Sequence, residues 1–159
     1  MRLTFWTGFW VFLVDQISKY VVVHMMELQS KLSIDVFPPF LNLRMAWNEG
    51  INFGLMANES EWLPWALIAL ALAISGAVLI WVYRENGNRW TFIWAGVLVG
   101  GAIGNVVDRI IYGAVADFLN MSCCGIDNPF AFNVADVAIF VGAVGLVLTT
   151  GDGKKKPSR

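Results

Sequence analysis

Apolar residues fall in four long runs separated by polar breaks, and this pattern predicts four membrane-spanning helices. The runs cover about residues 3–23, 63–83, 90–112 and 134–149. Crossing a bilayer takes roughly 20 apolar residues. The second run is almost purely Ala, Leu, Ile, Val and Trp. The other three carry polar residues: Asp15, Ser18 and Lys19 in the first, Asn105, Asp108 and Arg109 in the third, Asn133 and Asp136 at the opening of the fourth. The fourth is short for a span and is expected to begin or end within the interface. Arg2 followed by an apolar stretch resembles a signal peptide, but no A-x-A-like cleavage site follows and the run continues past Lys19, so it reads as a retained span. The connection at residues 24–62 is too apolar for a plain linker. Leu41, Leu43 and Met45 alternate with polar neighbours beyond the Pro38-Pro39 break, which predicts short strands in a small β-rich segment on the outer membrane surface.

Composition supports the membrane class. Of 159 residues, 57% are hydrophobic and only 14% charged, whereas a soluble domain carries about a quarter charged residues. Eight Trp and eleven Phe fit a chain whose aromatics collect at bilayer interfaces. The net charge of −1 hides an uneven distribution. Arg2, Arg84, Arg89, Lys154, Lys155, Lys156 and Arg159 lie on one side of the four-span arrangement, and only Lys31 and Arg44 on the other. The positive-inside rule then places both termini in the cytoplasm, with residues 24–62 and 113–132 outside. The expected architecture is an all-α membrane protein, one domain over residues 1–159, with four transmembrane helices, the extracytoplasmic β-rich segment between helices one and two, and a basic tail at 151–159. No basic stripe invites nucleic acid. One His (His24) and the pair Cys123-Cys124 are too few ligands for a zinc site, and no metal or cofactor is expected.

Ionisable residues inside membrane spans are expensive to bury and are functional candidates by default. Here they gather at the outer ends of runs one, three and four, while run two has none. Three helices are expected to build a polar site and the second to face lipid. Asp15 and Lys19, four residues apart, share a helical face; by spacing alone they form a structural ion pair pinning helix one to the bundle. At about 100° per residue, Gly101, Asn105, Asp108 and Tyr112 fall on one stripe of run three. Gly100 and Gly104 make a small-xxx-small pattern that admits a close neighbour. Asp108 and Arg109 also read as structural by spacing, with Arg109 reaching toward the headgroups.

The decisive pair is Asp117, in GAVADF after run three, and Asp136, in FNVAD at the start of run four. The connection between them can bring both carboxylates to one outer-leaflet depth. Two carboxyls about 3 Å apart share a proton. One can then take a proton from water while the other polarises a peptide carbonyl. Asn133 at an N-cap would place Asp136 at N3, where a carboxylate satisfies orphan N–H groups and the helix dipole. That capping role is compatible with catalysis, and the dipole favours Asp136 as the ionised member and Asp117 as the protonated one. These residues point to a membrane-embedded carboxylate site without naming a substrate.

Four segments, VDQISK (Val14 to Lys19), NEGINFG (Asn48 to Gly54), GGAIGNVVDRIIYGAVADF (Gly100 to Phe118) and FNVADVAI (Phe132 to Ile139), resemble in order and separation those of lipoprotein signal peptidase, also called signal peptidase II. The resemblance implies that Asp117 and Asp136 are the catalytic dyad of an aspartic endopeptidase. It implies that Asn105, Asp108, Arg109 and Asn133 support or line the site, with Asp15 and Lys19 nearby and the segment bearing Asn48, Gly50 and Gly54 meeting it from the outer β-structure. Asn52 stands where the family usually has Ala, which bears on local substrate or inhibitor contacts. The NMSCCGIDNP stretch matches no family pattern, and Cys123 and Cys124 are open to either a vicinal disulfide or two thiols. The implied substrate is a diacylglyceryl-modified prolipoprotein cut just before its lipidated Cys, at the periplasmic face of a bacterial inner membrane; a monomer is expected, since one chain supplies both aspartates. The implied inhibitor is the cyclic peptide globomycin.

The main alternative is a small proton-coupled transporter or channel using Asp15, Lys19 and Asp108 as a relay. Its polar residues would run through the midplane, whereas these cluster at one face. A non-catalytic assembly subunit leaves Asp117 and Asp136 unexplained. A serine triad would depend on His24 alone, GxSG and HExxH motifs are absent, and Ser18 and Lys19 point different ways on a helix.

Overall fold

The computed structural model describes residues 1–50, 62–85, 87–123 and 128–150. Asn52, Gly54, Cys124 and the basic tail lie outside them. The chain is mostly helical, with one small antiparallel sheet. Helix α1 (Arg2–Lys19) continues through a π-helical turn (Tyr20–Met25) into the short α2 (Leu28–Lys31). Strands β1 (Ser33–Phe37) and β2 (Leu41–Asn48) follow, then helices α3 (Leu63–Glu85) and α4 (Arg89–Tyr112), strand β3 (Val115–Asn120) and helix α5 (Val134–Thr150). Among the described residues, α3 and α4 are long and apolar enough to cross a membrane, and α5 is a shorter apolar helix of 17 residues.

Helix α4 is the centre of the packing, touching α1, α3 and α5. Its glycines make that possible. A Cβ on Gly100 would collide with the Gly8 carbonyl of α1, and one on Gly101 would lie 2.5 Å from the Ala135 carbonyl of α5. Small residues on two faces thus let two helix backbones approach α4 at once. Helix α3 has no such seam; it buries Ile68, Ser75 and Val82, the last in a core cluster with Ala95 and Leu98 of α4 and Leu146 of α5. Much of its apolar surface, including Trp65, Leu70, Ile74 and Ile80, is exposed.

The sheet differs from the sequence expectation in one respect that matters for the site. Its order is β1-β2-β3, so only two strands come from residues 24–62 and the third follows α4. Gly113, at φ +75°, ends α4 in the left-handed conformation that glycine adopts without strain, and the chain turns directly into β3. That strand pairs antiparallel with β2, setting Ala46 opposite Asp117 and Asn48 opposite Val115. Leu28, Leu43 and Phe118 form the core that seats the sheet on the helical turn. The Phe118 and Leu119 amides donate to the Phe132 carbonyl, at 3.0 and 2.8 Å. These bonds tie β3 to the residues entering α5.

Candidate active site

Asp117 is in the middle of β3, 3% exposed, and Asp136 is in the first turn of α5, only partly buried. The link between them is Asn133. Its Nδ2 donates to Asp117 Oδ1 at 2.6 Å, its backbone N–H donates to Asp136 Oδ2 at 3.2 Å, and its Oδ1 accepts from the Asp136 amide at 2.9 Å. The last two contacts are a reciprocal capping box, the arrangement in which residues three apart satisfy each other's orphan N–H groups. Asn133 is fully buried, so one asparagine both starts the helix and joins the two carboxylates.

Two further amides complete the surroundings. Asn105 of α4 donates through Nδ2 to Asp136 Oδ1 at 2.8 Å, and Asn48 at the end of β2 donates through Nδ2 to Asp117 Oδ2 at 3.0 Å. Gly50, at φ +109°, donates its N–H to Asn48 Oδ1 at 2.9 Å and so fixes the amide's orientation. Each carboxylate therefore receives neutral N–H donors. Burial, and after it the neighbouring Asp136 charge, raise the Asp117 carboxyl from its ordinary 3.8 to about 6, and the Asn48 and Asn133 donors only partly offset this. Burial thus lets the Asp117 carboxyl hold its proton to higher pH than an ordinary carboxyl does.

Behind this pair, Lys19 Nζ lies 2.8 Å from both Asp15 Oδ2 and Asp108 Oδ2 and donates to Asn105 Oδ1 at 3.3 Å. The ion pair expected between Asp15 and Lys19 is thus a triad spanning α1 and α4. Gln16, which the sequence reading passed over, donates to Asp15 and Asp108 at 3.1 Å each. Its signal was a polar side chain inside an apolar run, one position off the Asp15/Lys19 face. Arg109 does not reach outward as its spacing suggested. Its Nη1 donates to the Asn105 carbonyl at 3.3 Å, its Nε is buried without a hydrogen-bond partner among the described residues, and it sits in the field of Asp136, Asp117 and Asp108. Tyr112 ends the predicted stripe half-exposed. It lines a 260 Å³ pocket with His24 and Trp47 that reaches Lys19, Asp108 and Ala116 of the network. Gly54 lies outside the described residues, and no cluster of metal-ligating side chains occurs among them.

Comparison with known proteins decides the family. Residues 8–151 match the family model described as signal peptidase (SPase) II. The chain belongs to the signal peptidase II family. Its relatives include the lipoprotein signal peptidase of Aeromonas hydrophila, 36% identical over 152 residues that cover 95% of this chain and 89% of that one. The lipoprotein signal peptidase of Methylobacterium sp. (strain 4-46) is 35% identical over 91% of this chain and 89% of its own. A bacterial membrane enzyme solved in meso at 1.9 Å shares the fold, with a TM-score of 0.80 over 97% of this chain and 96% of that one, at 24% identity. The mostly helical architecture with its small antiparallel sheet is thus that of known membrane enzymes, and members of the signal peptidase II family are proteases.

Proposed function

We propose that this chain is an intramembrane aspartic endopeptidase that removes the signal peptide from diacylglyceryl-modified prolipoproteins, cutting just before the lipidated Cys, with Asp117 and Asp136 as its catalytic dyad. The observation that carries this reading is the buried Asn133 joining a carboxyl that titrates near 6 to one that is partly exposed. Asp136, stabilised by its place at N3 of α5, is the base that takes a proton from water. Asp117, still protonated, donates to the scissile carbonyl oxygen as the water oxygen adds to the carbon. On collapse the C–N bond breaks, the proton gained by Asp136 passes to the leaving amine, and the gem-diol hydroxyl returns a proton to Asp117. This route requires neither a metal nor a covalent enzyme intermediate. Asn48, Asn105 and Asn133 hold the two carboxyls in orientation, and Arg109 and Gly50 line the approach.

In this reading α1, α3, α4 and α5 cross the inner membrane, the sheet lies on its periplasmic side, and both termini are cytoplasmic. A lipid-anchored substrate presents its scissile bond at the depth of the dyad. A monomer suffices, because one chain supplies both aspartates. The names of the relatives support the substrate class, and globomycin is expected to block the dyad.

The test is gel-shift cleavage of a diacylglyceryl-modified prolipoprotein by purified wild type, Asp117→Asn and Asp136→Asn. Wild type is expected to cut before the lipidated Cys, and each folded variant to lose at least about 10³-fold in kcat while still binding, because neither half of the proton transfer can be replaced. Most activity surviving in either variant would remove the dyad assignment. An intact substrate with folded wild type would remove the function, and proton flux in proteoliposomes would then test the transport alternative.

A further inference from the structure

The residues immediately before the two aspartates are both held by the same ionic triad. The Ala135 amide, preceding Asp136, donates to Asp15 Oδ1 at 2.9 Å. The Ala116 amide, preceding Asp117, donates to Asp108 Oδ2 at 3.2 Å. Lys19 Nζ stands 2.8 Å from the carboxylate of each. Asp15, Lys19 and Asp108 are 0%, 6% and 2% exposed, so water does not relax these contacts. Along this path α1 and α4 together, joined through Lys19, bridge β3 to α5.

We infer that Asp15, Lys19 and Asp108 are positioning residues: a clamp in which one ammonium fixes the separation of two carboxylates, each gripping the backbone one residue ahead of a catalytic aspartate. This rests on the dyad assignment above. A simple structural ion pair needs only to exist, and its loss would reduce the amount of folded protein. A clamp also fixes a distance, and misplacing reacting groups by about 1 Å lowers turnover on the order of 10²-fold. The three side chains are almost wholly buried, so KM is not expected to follow.

Lys19 also faces the dyad electrostatically. The charged groups acting on Asp117 are Asp136 from α5, Arg109 from α4 and Lys19 from α1, with Asp108 holding the adjoining amide. Removing the Lys19 charge takes away a neighbour that favours ionised Asp117, so the titration of Asp117 moves to higher pH.

The experiment compares purified wild type with Lys19→Arg, Lys19→Met and the neutral triple variant Asp15→Asn, Lys19→Met, Asp108→Asn. Activity is normalised to folded protein, and the Asp117 carboxyl is followed by ¹³C NMR of labelled aspartate in micelles. Lys19→Arg keeps the charge but changes the reach. The triple variant leaves no unpaired buried charge and so remains foldable if Lys19→Met does not. We expect kcat per folded molecule to fall by about 10²-fold in each folded variant, with KM within about threefold, and the Asp117 titration to move up in Lys19→Met. A folded triple variant with kcat within threefold of wild type and unchanged Asp117 titration would overturn the clamp. If wild type fails to cut the lipidated substrate while the titration still shifts, the proteolytic reading falls and the coupling of Lys19 to Asp117 stands.

Discussion

A single buried carboxyl sets much of the pH behaviour expected here. Asp117 is raised to about 6 by burial and by Asp136. Between its ordinary value of 3.8 and about 6, the folded protein holds a proton at this position that the unfolded chain has lost. The folded state therefore binds more protons in that window, and stability falls as pH rises through it. A shift of this size corresponds to about 2–3 kcal/mol. Thermal unfolding in one detergent is thus expected at higher temperature at pH 4.5 than at pH 7.5, with the difference reduced in Asp117→Asn. Equal pH dependence in both proteins would place the effect elsewhere. The same proton governs turnover if Asp117 acts as the acid. The high-pH limb of kcat/KM, which reports the free enzyme, is expected to have its midpoint near the Asp117 value of about 6. Bound substrate deepens the burial, so the limb of kcat is expected to lie higher. A kcat/KM that stays flat from pH 5 to 8 would reassign the acid.

At the level of elements, the helix seams decide where the site residues sit. A Cβ on Gly104 would lie 2.5 Å from Asp15 Oδ2, and one on Gly101 the same distance from the Ala135 carbonyl. Both neighbours belong to the network around the dyad. Overpacking of this kind costs about 1–3 kcal/mol, and here it would also move a carboxylate or the backbone before Asp136. Gly101→Ala and Gly104→Ala are therefore expected to lower both the melting temperature and kcat per folded molecule. Gly76→Ala, on α3 with nothing within 4 Å of its Cβ position, is expected to leave both unchanged. Loss of activity in Gly76→Ala equal to that in Gly104→Ala would show that the seam is not special. These seams were legible in the sequence because small-xxx-small spacing is a local pattern, and so was the Asn133/Asp136 cap, whose residues are three apart. Strand β3 was not. Val115-Ala116-Asp117 contains two residues of low strand propensity and sits directly after a helix, so it reads as a connection. It becomes a strand through pairing with β2, nearly seventy positions earlier (Asn48 opposite Val115, Ala46 opposite Asp117), and no local window contains that partner. The triad was half legible for the same reason. Asp15 and Lys19 are neighbours on one helix, whereas Asp108 joins them only when α1 packs on α4.

For the whole molecule, the polar network and the apolar surface occupy different regions, and this asymmetry is what the membrane reading has to explain. Asp15, Lys19, Asn105, Asp108, Asp117 and Asn133 are buried together where the C-terminal ends of α1 and α4 meet the sheet and the start of α5. Away from that end, the helices present Phe5, Trp6 and Trp10 on α1, Leu70 and Ile74 on α3, and Phe140 and Val147 on α5 as exposed apolar side chains. In water such a surface would drive association, whereas in lipid it is the ordinary exterior of a span. The bundle is therefore expected to sit with its sheet end at one face and the α3–α4 turn at the other. The distribution of Lys and Arg predicts its orientation, with the turn expected in the cytoplasm. Ser33 of β1 and Arg84 of α3 are both exposed and lie at these opposite ends, which makes them useful reporters. In a background with Cys123 and Cys124 replaced, Ser33→Cys is expected to react with a membrane-impermeant maleimide in intact spheroplasts, and Arg84→Cys only after lysis. Labelling in the reverse order would invert the orientation and put the dyad on the cytoplasmic side. Labelling of both in intact spheroplasts would mean that α3 does not cross. Only the expected order leaves the carboxyl pair at the face where, in the proposed function, a membrane-anchored, already lipidated substrate would expose the bond to be cut.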